Sequence, residues 1–398
     1  MNITVSNRMS FFQPSIFSEL AAYKQQKLSE GAPIIDLSIG SPDLGPPSFI
    51  TETLAEEVLK TDQYGYAITG TNDFNNAVST YYKRKYQVEL NPDKEILLVM
   101  GSHDCLVHFP MVFADPGDII LVPDPGYTGY AAGIALAGAN PYLMPLKKGN
   151  DYLPDLSAIP EVIAKQAKIM ILNFPGNPVP ALASKEYFEE VVAFAKKHNI
   201  IVLHDFVYSG VYFDKKRSVS FLSIDGAKEV GVELFSFSKN YNMAGSRIGY
   251  LAGNEKVINA MYQLKSNLDY GVFLPIQHTA VKALEKGEEF SEANRKIYQE
   301  RRDLLVNGLN EIGWEVMKPD AGMFIWAEIP KGWTSYEFTY ALIDQANVVV
   351  TPGDAFGPNG EGYVRIALVQ SVENINKAIS NIKEANIIND KHKELVYR

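Results

Sequence analysis

Residues 235–253 read FSFSKNYNMAGSRIGYLAG. An apolar run leads into Ser-x-Ser-Lys, then come a loop of small residues, an arginine and a second apolar run. The stretch sets one lysine, Lys239, at the mouth of a buried strand. A lysine there must shed water or find a partner, and both cost free energy. Taken alone, Lys239 is a surface charge in a turn between two strands. The other strand ends of the chain decide whether it is something more.

Working outward, short apolar runs rich in β-formers recur: EILLVMG (95–101), DIILVPDPG (118–126), AKIMILNFPGNP (167–178), NIIVLHD (199–205), VELFSFS (232–238) and RIGYLAG (247–253). Helical stretches such as SKEYFEEVVAFAKKH (184–198) lie between several of them. Strands alternating with helices predict an α/β fold, a mostly parallel sheet covered on both faces. In such sheets ligands bind at the carboxyl ends of the strands. Turn chemistry collects there: Gly101-Ser102, Asp124 to Tyr127, Asn173 to Pro178, Asp205 and Ser238-Lys239.

Upstream, SFFQPSIFSELAAYKQQKLSEG (10–31) reads as an amphipathic helix ending at Gly31, and IIDLSIGSPD (34–43) as a strand running into a turn. Beyond about residue 285 the texture changes. A charged helix (288–313), a strand region, the helix TSYEFTYALIDQA (334–346), NVVVTPGDAFG and GYVRIALV predict a smaller α+β domain. The expected organisation is 1–45 packing with that small domain, 46–284 as the large domain, and 285–398 as the small domain.

Of the 398 residues, 46% are hydrophobic and 21% charged, which fits a globular protein with a large core. The net charge of −10 argues against nucleic acid or an anionic membrane as main partner. A single cysteine, Cys105, leaves no intrachain disulfide and suits a reducing cytoplasm. The opening residues lack a basic start followed by an apolar block, so no signal peptide is expected. No apolar run is long enough to span a membrane. The six histidines form no H-E-x-x-H pattern, so no metal site is expected.

The ordered motifs resemble fold-type-I pyridoxal-phosphate enzymes, the class I/II aminotransferases, from about Leu37 to the last helix. SFSKNYNMAGSRIGYLAG resembles that family's Ser-x-Ser-Lys…Gly-x-Arg-x-Gly segment. HDFVYSGVYFD, GAKEVGVELFSFSKNYNMAG and NLDYGVFLPIQ are most similar to the group holding LL-diaminopimelate and methionine-forming aminotransferases. The resemblance implies that Lys239 holds pyridoxal 5'-phosphate as a Schiff base and, once released, shuttles a proton between substrate and cofactor. It places Asp205, which otherwise reads as a helix N-cap, against the pyridine nitrogen. It places Tyr208 and Asn177 on the cofactor's phenolic oxygen, and Tyr127 on its ring. Ser102, His103 (through its backbone), Ser236, Ser238 and Arg247 match phosphate positions. Tyr64 matches a tyrosine that reaches the phosphate from the neighbouring subunit, which implies a homodimer with shared sites. Arg365 matches the clamp for the substrate α-carboxylate, with the backbone of Gly40 nearby.

The sequence departs from this pattern in three places. Asn177-Pro178-Val179-Pro180 stands where the family reads Asn-Pro-Thr-Gly, which alters the loop beside the substrate. Cys105 stands where the group often has Gly, and Ser246 where a Trp is common. The expected function is amino-group transfer from an amino acid to a 2-oxo acid. A carbon–sulfur lyase acting by β-elimination is the alternative on the same scaffold. A non-enzymatic ligand sensor is disfavoured by the intact Lys239 and by the lack of room for an added DNA-binding domain.

Overall fold

The computed structural model describes residues 1, 3–12 and 16–389. Its strands are β1 (Ile35–Asp36), β2 (Ile96–Val99), β3 (Ile119–Asp124), β4 (Asn140–Pro145), β5 (Ala167–Leu172), β6 (Ile201–Asp205), β7 (Gly231–Ser236), β8 (Gly249–Gly253), β9 (Phe324–Glu328), β10 (Val348–Val349), β11 (Thr351–Pro352) and β12 (Tyr363–Ala367). Seven form one sheet in the order β2-β8-β7-β6-β5-β3-β4. Only β8 runs against its neighbours β2 and β7; the remaining pairs are parallel.

The near-continuous apolar runs follow from burial on both faces. Ile169 and Ile171 join one core with Leu106, Phe109 and Ile134, while Met170 and Leu172 join another with Phe74, Phe188 and Phe235. That is the two-residue alternation of a strand with a helical layer on each side. The carboxyl ends of β2, β3, β5, β6 and β7 therefore share one edge.

A second sheet, β11-β12-β9, is antiparallel. It packs on the helices Glu288–Glu311, Ser335–Ala346 and Val372–Ala385 around Leu305, Trp314, Phe324, Phe338, Leu342 and Ile375. The helix at 335 starts with a capping box between Thr334 and Glu337, which satisfies two otherwise unpaired N–H groups.

The N-terminal run is shorter in strand than its sequence suggests. β1 spans two residues, pairs in parallel with β10, and then continues as irregular chain. Leu37 donates to the Val349 carbonyl at 2.8 Å and accepts from Ala367 N–H at 2.7 Å, so residues 35–37 are stitched into the C-terminal body. The amphipathic helix expected over 10–31 is a 3-10 turn at Asn7–Phe11 and an α-helix at Ile16–Ser29; residues 13–15 lie outside the described residues. Among the described residues, no helix is long and apolar enough to cross a membrane.

Candidate active site

The strand ends enclose a cavity of about 460 Å³ between the two bodies. Its lining includes Gly40, Ser102, Tyr127, Asn177, Asp205, Tyr208, Lys239 and Arg365, eight of the residues singled out by sequence. Ser236, Ser238, His103 and Arg247 do not line it, although His103 and Arg247 stand at the start of the helix at 102, and Tyr64 is exposed on the surface.

Lys239 sits in a single helical turn, Phe237–Asn240, directly after β7. Ser236 caps that turn, its hydroxyl accepting from Ser238 N–H at 3.2 Å. The turn points the side chain inward, where Nζ donates to the Gly40 carbonyl at 2.6 Å. Burial, then the charges of Arg365 and Arg247, push this amine down to about 8, against the pull of Asp205. A solvated turn lysine has no such environment. Near neutral pH a usable fraction of Lys239 is the free, nucleophilic amine.

Asp205 ends β6 and is buried. Burial pushes its carboxyl up to about 6, although the Tyr130 hydroxyl donates to Oδ2 at 2.9 Å and favours the charged form. Its other oxygen, Oδ1, is buried with no hydrogen-bond partner. An orphaned buried acceptor is costly unless a donor arrives. A protonated pyridine nitrogen supplies such a donor, so the residues present fit the cofactor.

Arg365, on β12, is also buried, and burial pulls its guanidinium down to about 10. It donates to Asn177 Oδ1 at 2.8 Å, to the Ser38 carbonyl at 2.6 Å and to Thr351 Oγ1 at 3.2 Å. Phe324 and Phe356 flank it, with ring centroids 4.3 and 4.9 Å from the guanidinium carbon. Its Nε is buried and unpartnered. A fixed cation with spare donor capacity suits a carboxylate.

Asn177 is held through Asn173, whose Oδ1 accepts the Asn177 N–H at 2.9 Å and whose amide donates to the Asp205 carbonyl at 2.7 Å. Tyr208 lines the cavity beside Lys239, its ring centroid 5.9 Å from Nζ, and burial raises its hydroxyl. Tyr127 stands edge-on to Tyr130 at 5.6 Å and meets His103 Nδ1 through its hydroxyl at 3.3 Å.

At the other end of the cavity Ser102 opens the helix Ser102–Phe113, whose cap Gly101 has φ +84°. A Cβ on Gly101 would lie 2.4 Å from Arg247 Nη2, so only glycine lets this arginine cover the helix start. Arg247 itself takes a left-handed backbone, φ +50°, and donates to the Ala244 carbonyl at 2.9 Å. A helix N-terminus, hydroxyls and a guanidinium make an anion cradle.

Tyr64 is 63% exposed; its hydroxyl donates to the Val58 carbonyl and its ring packs edge-on against Phe273. Sequence reasoning gave no role to Tyr130 or Asn173. Tyr130 follows Tyr127 by three residues, at the start of the helix Gly129–Ala137, and Asn173 directly follows β5; those positions were the available signals. Among the departures, Val179 is buried with Leu146, Tyr152, Trp326 and Phe356, where a threonine hydroxyl would meet apolar carbon. Cys105 is buried in the core beneath the helix start.

With this geometry in place, comparison with known proteins is direct. The family described as "Aminotransferase class I and II" matches residues 32–382. An LL-diaminopimelate aminotransferase from Moorella thermoacetica is 41% identical, covering 95% of this chain and 97% of its own. The substrate-bound BacF structure from Bacillus subtilis superposes with a TM-score of 0.93 at 39% identity, over 97% of this chain and 98% of that one. A probable N-succinyldiaminopimelate aminotransferase from Thermus thermophilus gives 0.89 at 34%, over 93% and 100%. Over almost its whole length the chain belongs to the class I and II aminotransferases, enzymes that depend on pyridoxal phosphate and move amino groups between amino acids and 2-oxo acids.

Proposed function

We propose that the amino-group transfer takes place in the cavity around Lys239, with the residues in the roles their surroundings favour. The observation that carries this is the meeting, around one cavity, of a buried amine and two buried groups with unused hydrogen-bonding capacity, Asp205 Oδ1 and Arg365 Nε. When bound, pyridoxal phosphate supplies an aldehyde for an amine and a ring that draws electrons from the substrate Cα. Asp205 Oδ1 would accept the ring N–H. Asn177 and Tyr208 would serve the phenolic oxygen, and Tyr127 the ring face. Ser102, Ser236, Ser238, Arg247 and the backbone at His103 would hold the phosphate. Arg365 and the Gly40 backbone would orient the α-carboxylate, and Lys239 Nζ would move the proton from Cα.

The names of the relatives make LL-diaminopimelate the first amino donor to test. The lyase alternative is not favoured, because the relatives are named for amino-group transfer. A homodimer is supported by an exposed aromatic face in which Tyr64 meets Phe273 and Tyr66 meets Tyr270. That face would carry Tyr64 to a second copy's phosphate end. Domain limits of 1–45, 46–284 and 285–398 and a cytoplasmic location belong to the same reading.

The test is the visible band of the cofactor-loaded protein, titrated with LL-diaminopimelate, methionine, phenylalanine, alanine and glutamate. Loss of the band with one donor and its return with a 2-oxo acid are expected. Ammonia and pyruvate without an acceptor would establish elimination instead, and a loaded band that no donor changes would count against the reading.

A further inference from the structure

Beneath the sheet, on the side away from Lys239, lies a polar cluster that the reaction does not touch. His204 and Glu233 are both 0% exposed and are cross-strand partners on β6 and β7. Strand alternation turns His204 to the face opposite its neighbour Asp205. There its ring lies among Phe188, Phe206 and Phe221.

Hydrogen counting sets the charge of the pair. His204 Nε2 lies 3.1 Å from the Phe174 carbonyl, which can only accept, so Nε2 carries a hydrogen. Nδ1 lies 2.9 Å from Glu233 Oε1. That oxygen also accepts the Phe221 N–H at 2.5 Å, while Oε2 accepts from the Ser220 hydroxyl at 2.7 Å and the Tyr82 hydroxyl at 3.1 Å. Donors crowded onto both oxygens favour an ionised carboxylate, and Nδ1 must then carry a hydrogen too.

We infer that His204 is an imidazolium paired with the Glu233 carboxylate, and that it serves the reaction as a positioning residue. From below the sheet it keeps Asp205 ionised, and it anchors the Phe174 carbonyl at the head of the loop that carries Asn177. The inference rests on the role of Asp205 proposed above. Around Asp205 stand Tyr130, Tyr127, Cys105, Tyr208 and Lys239 on the cavity side, and His204 behind. The positive charges favouring its ionised form are His204 and Lys239. Lys239 is the group that must engage the cofactor, whereas His204 is fixed by two strands.

The first test needs no variant of the pair. The full chain, cofactor-free and loaded, is made with ¹⁵N-labelled histidine rings, and His204 is assigned by substituting the other five histidines in turn. An imidazolium pattern at His204 near neutral pH is expected; a neutral-imidazole pattern overturns the inference. The second is Glu233→Gln, with the Asp205 carboxyl of the cofactor-free chain followed by ¹³C NMR and identified by its loss in Asp205→Asn. Removing the carboxylate also releases the imidazolium proton, so the Asp205 midpoint should rise by about one pH unit. The ring pattern is read in the same variant: with a neutral ring, an unchanged or lowered midpoint overturns the role of His204 toward Asp205, and with a ring still charged the midpoint should instead fall, because only the repelling carboxylate is gone. Both readouts come from protein that is not turning over. Failure of the aminotransferase roles would appear separately, as a loaded band that no amino donor changes.

Discussion

Lys239, Asp205 and Arg365 share one physical condition: each is a charge drawn out of water and only partly compensated. For Lys239 the consequence is chemical. Lys239→Ala should abolish the visible band of the lysine-bound cofactor and cut turnover by about a thousandfold or more, read in a coupled amino-transfer assay. For Asp205 it is also thermodynamic. The folded carboxyl titrates near 6, above its ordinary 3.8. Between those values the native protein keeps a proton that the unfolded chain has released, so stability falls as pH rises through this window. Cofactor-free Asp205→Asn escapes that cost. In urea titrations it should exceed the parent by about 2–3 kcal/mol at pH ~8, with the advantage shrinking below pH ~6 and gone near pH ~4. An advantage that does not vary with pH would mean that the orphaned oxygen is not strained by burial.

At the scale of the element, the start of helix Ser102–Phe113 and the loop after β5 set the site. Gly101→Ala puts a methyl where Arg247 lies and demands a backbone that alanine resists. It should lower stability by about 1–2 kcal/mol and weaken cofactor binding about tenfold, measured by fluorescence titration. In the other element, Val179→Thr restores the family's residue yet buries a hydroxyl in an apolar cluster. A loss of about 1–2 kcal/mol in unfolding free energy, read from the urea midpoint, is expected, with little change in cofactor affinity. These two elements also show what the sequence could reveal. The placement of Lys239, Asp205 and Ser102 along one edge of the sheet was legible because each ends or closely follows a strand whose apolar run announces it. The links made by Tyr130 and Asn173 to Asp205 were not, because a helix face and a strand end hold many polar residues with purely structural duties. Only tertiary placement shows that Tyr130 reaches a carboxylate 75 residues away. The brevity of β1 was hidden for the same reason: its pairing partner β10 lies more than 300 residues on.

For the whole molecule, the prediction concerns two copies. Tyr64 is absent from its own chain's cavity and belongs to the exposed aromatic face. If it serves the neighbouring site, mixing Lys239→Ala protomers with Tyr64→Ala protomers creates hybrid dimers with one intact site. Activity at limiting cofactor should then rise above that of either parent after subunit exchange. No gain on mixing, with exchange verified by mass, would place Tyr64 outside the site.

The segment Leu37–Gly40 has one more consequence. Ser38 receives the Arg365 guanidinium across 327 positions, and Gly40 receives the Lys239 amine across 199. During synthesis, Ser38 and Gly40 must wait for partners made 327 and 199 positions later. The pocket therefore has no finished form on the ribosome until Arg365 has emerged, and a chain terminated between Lys239 and Arg365 carries the lysine without the clamp.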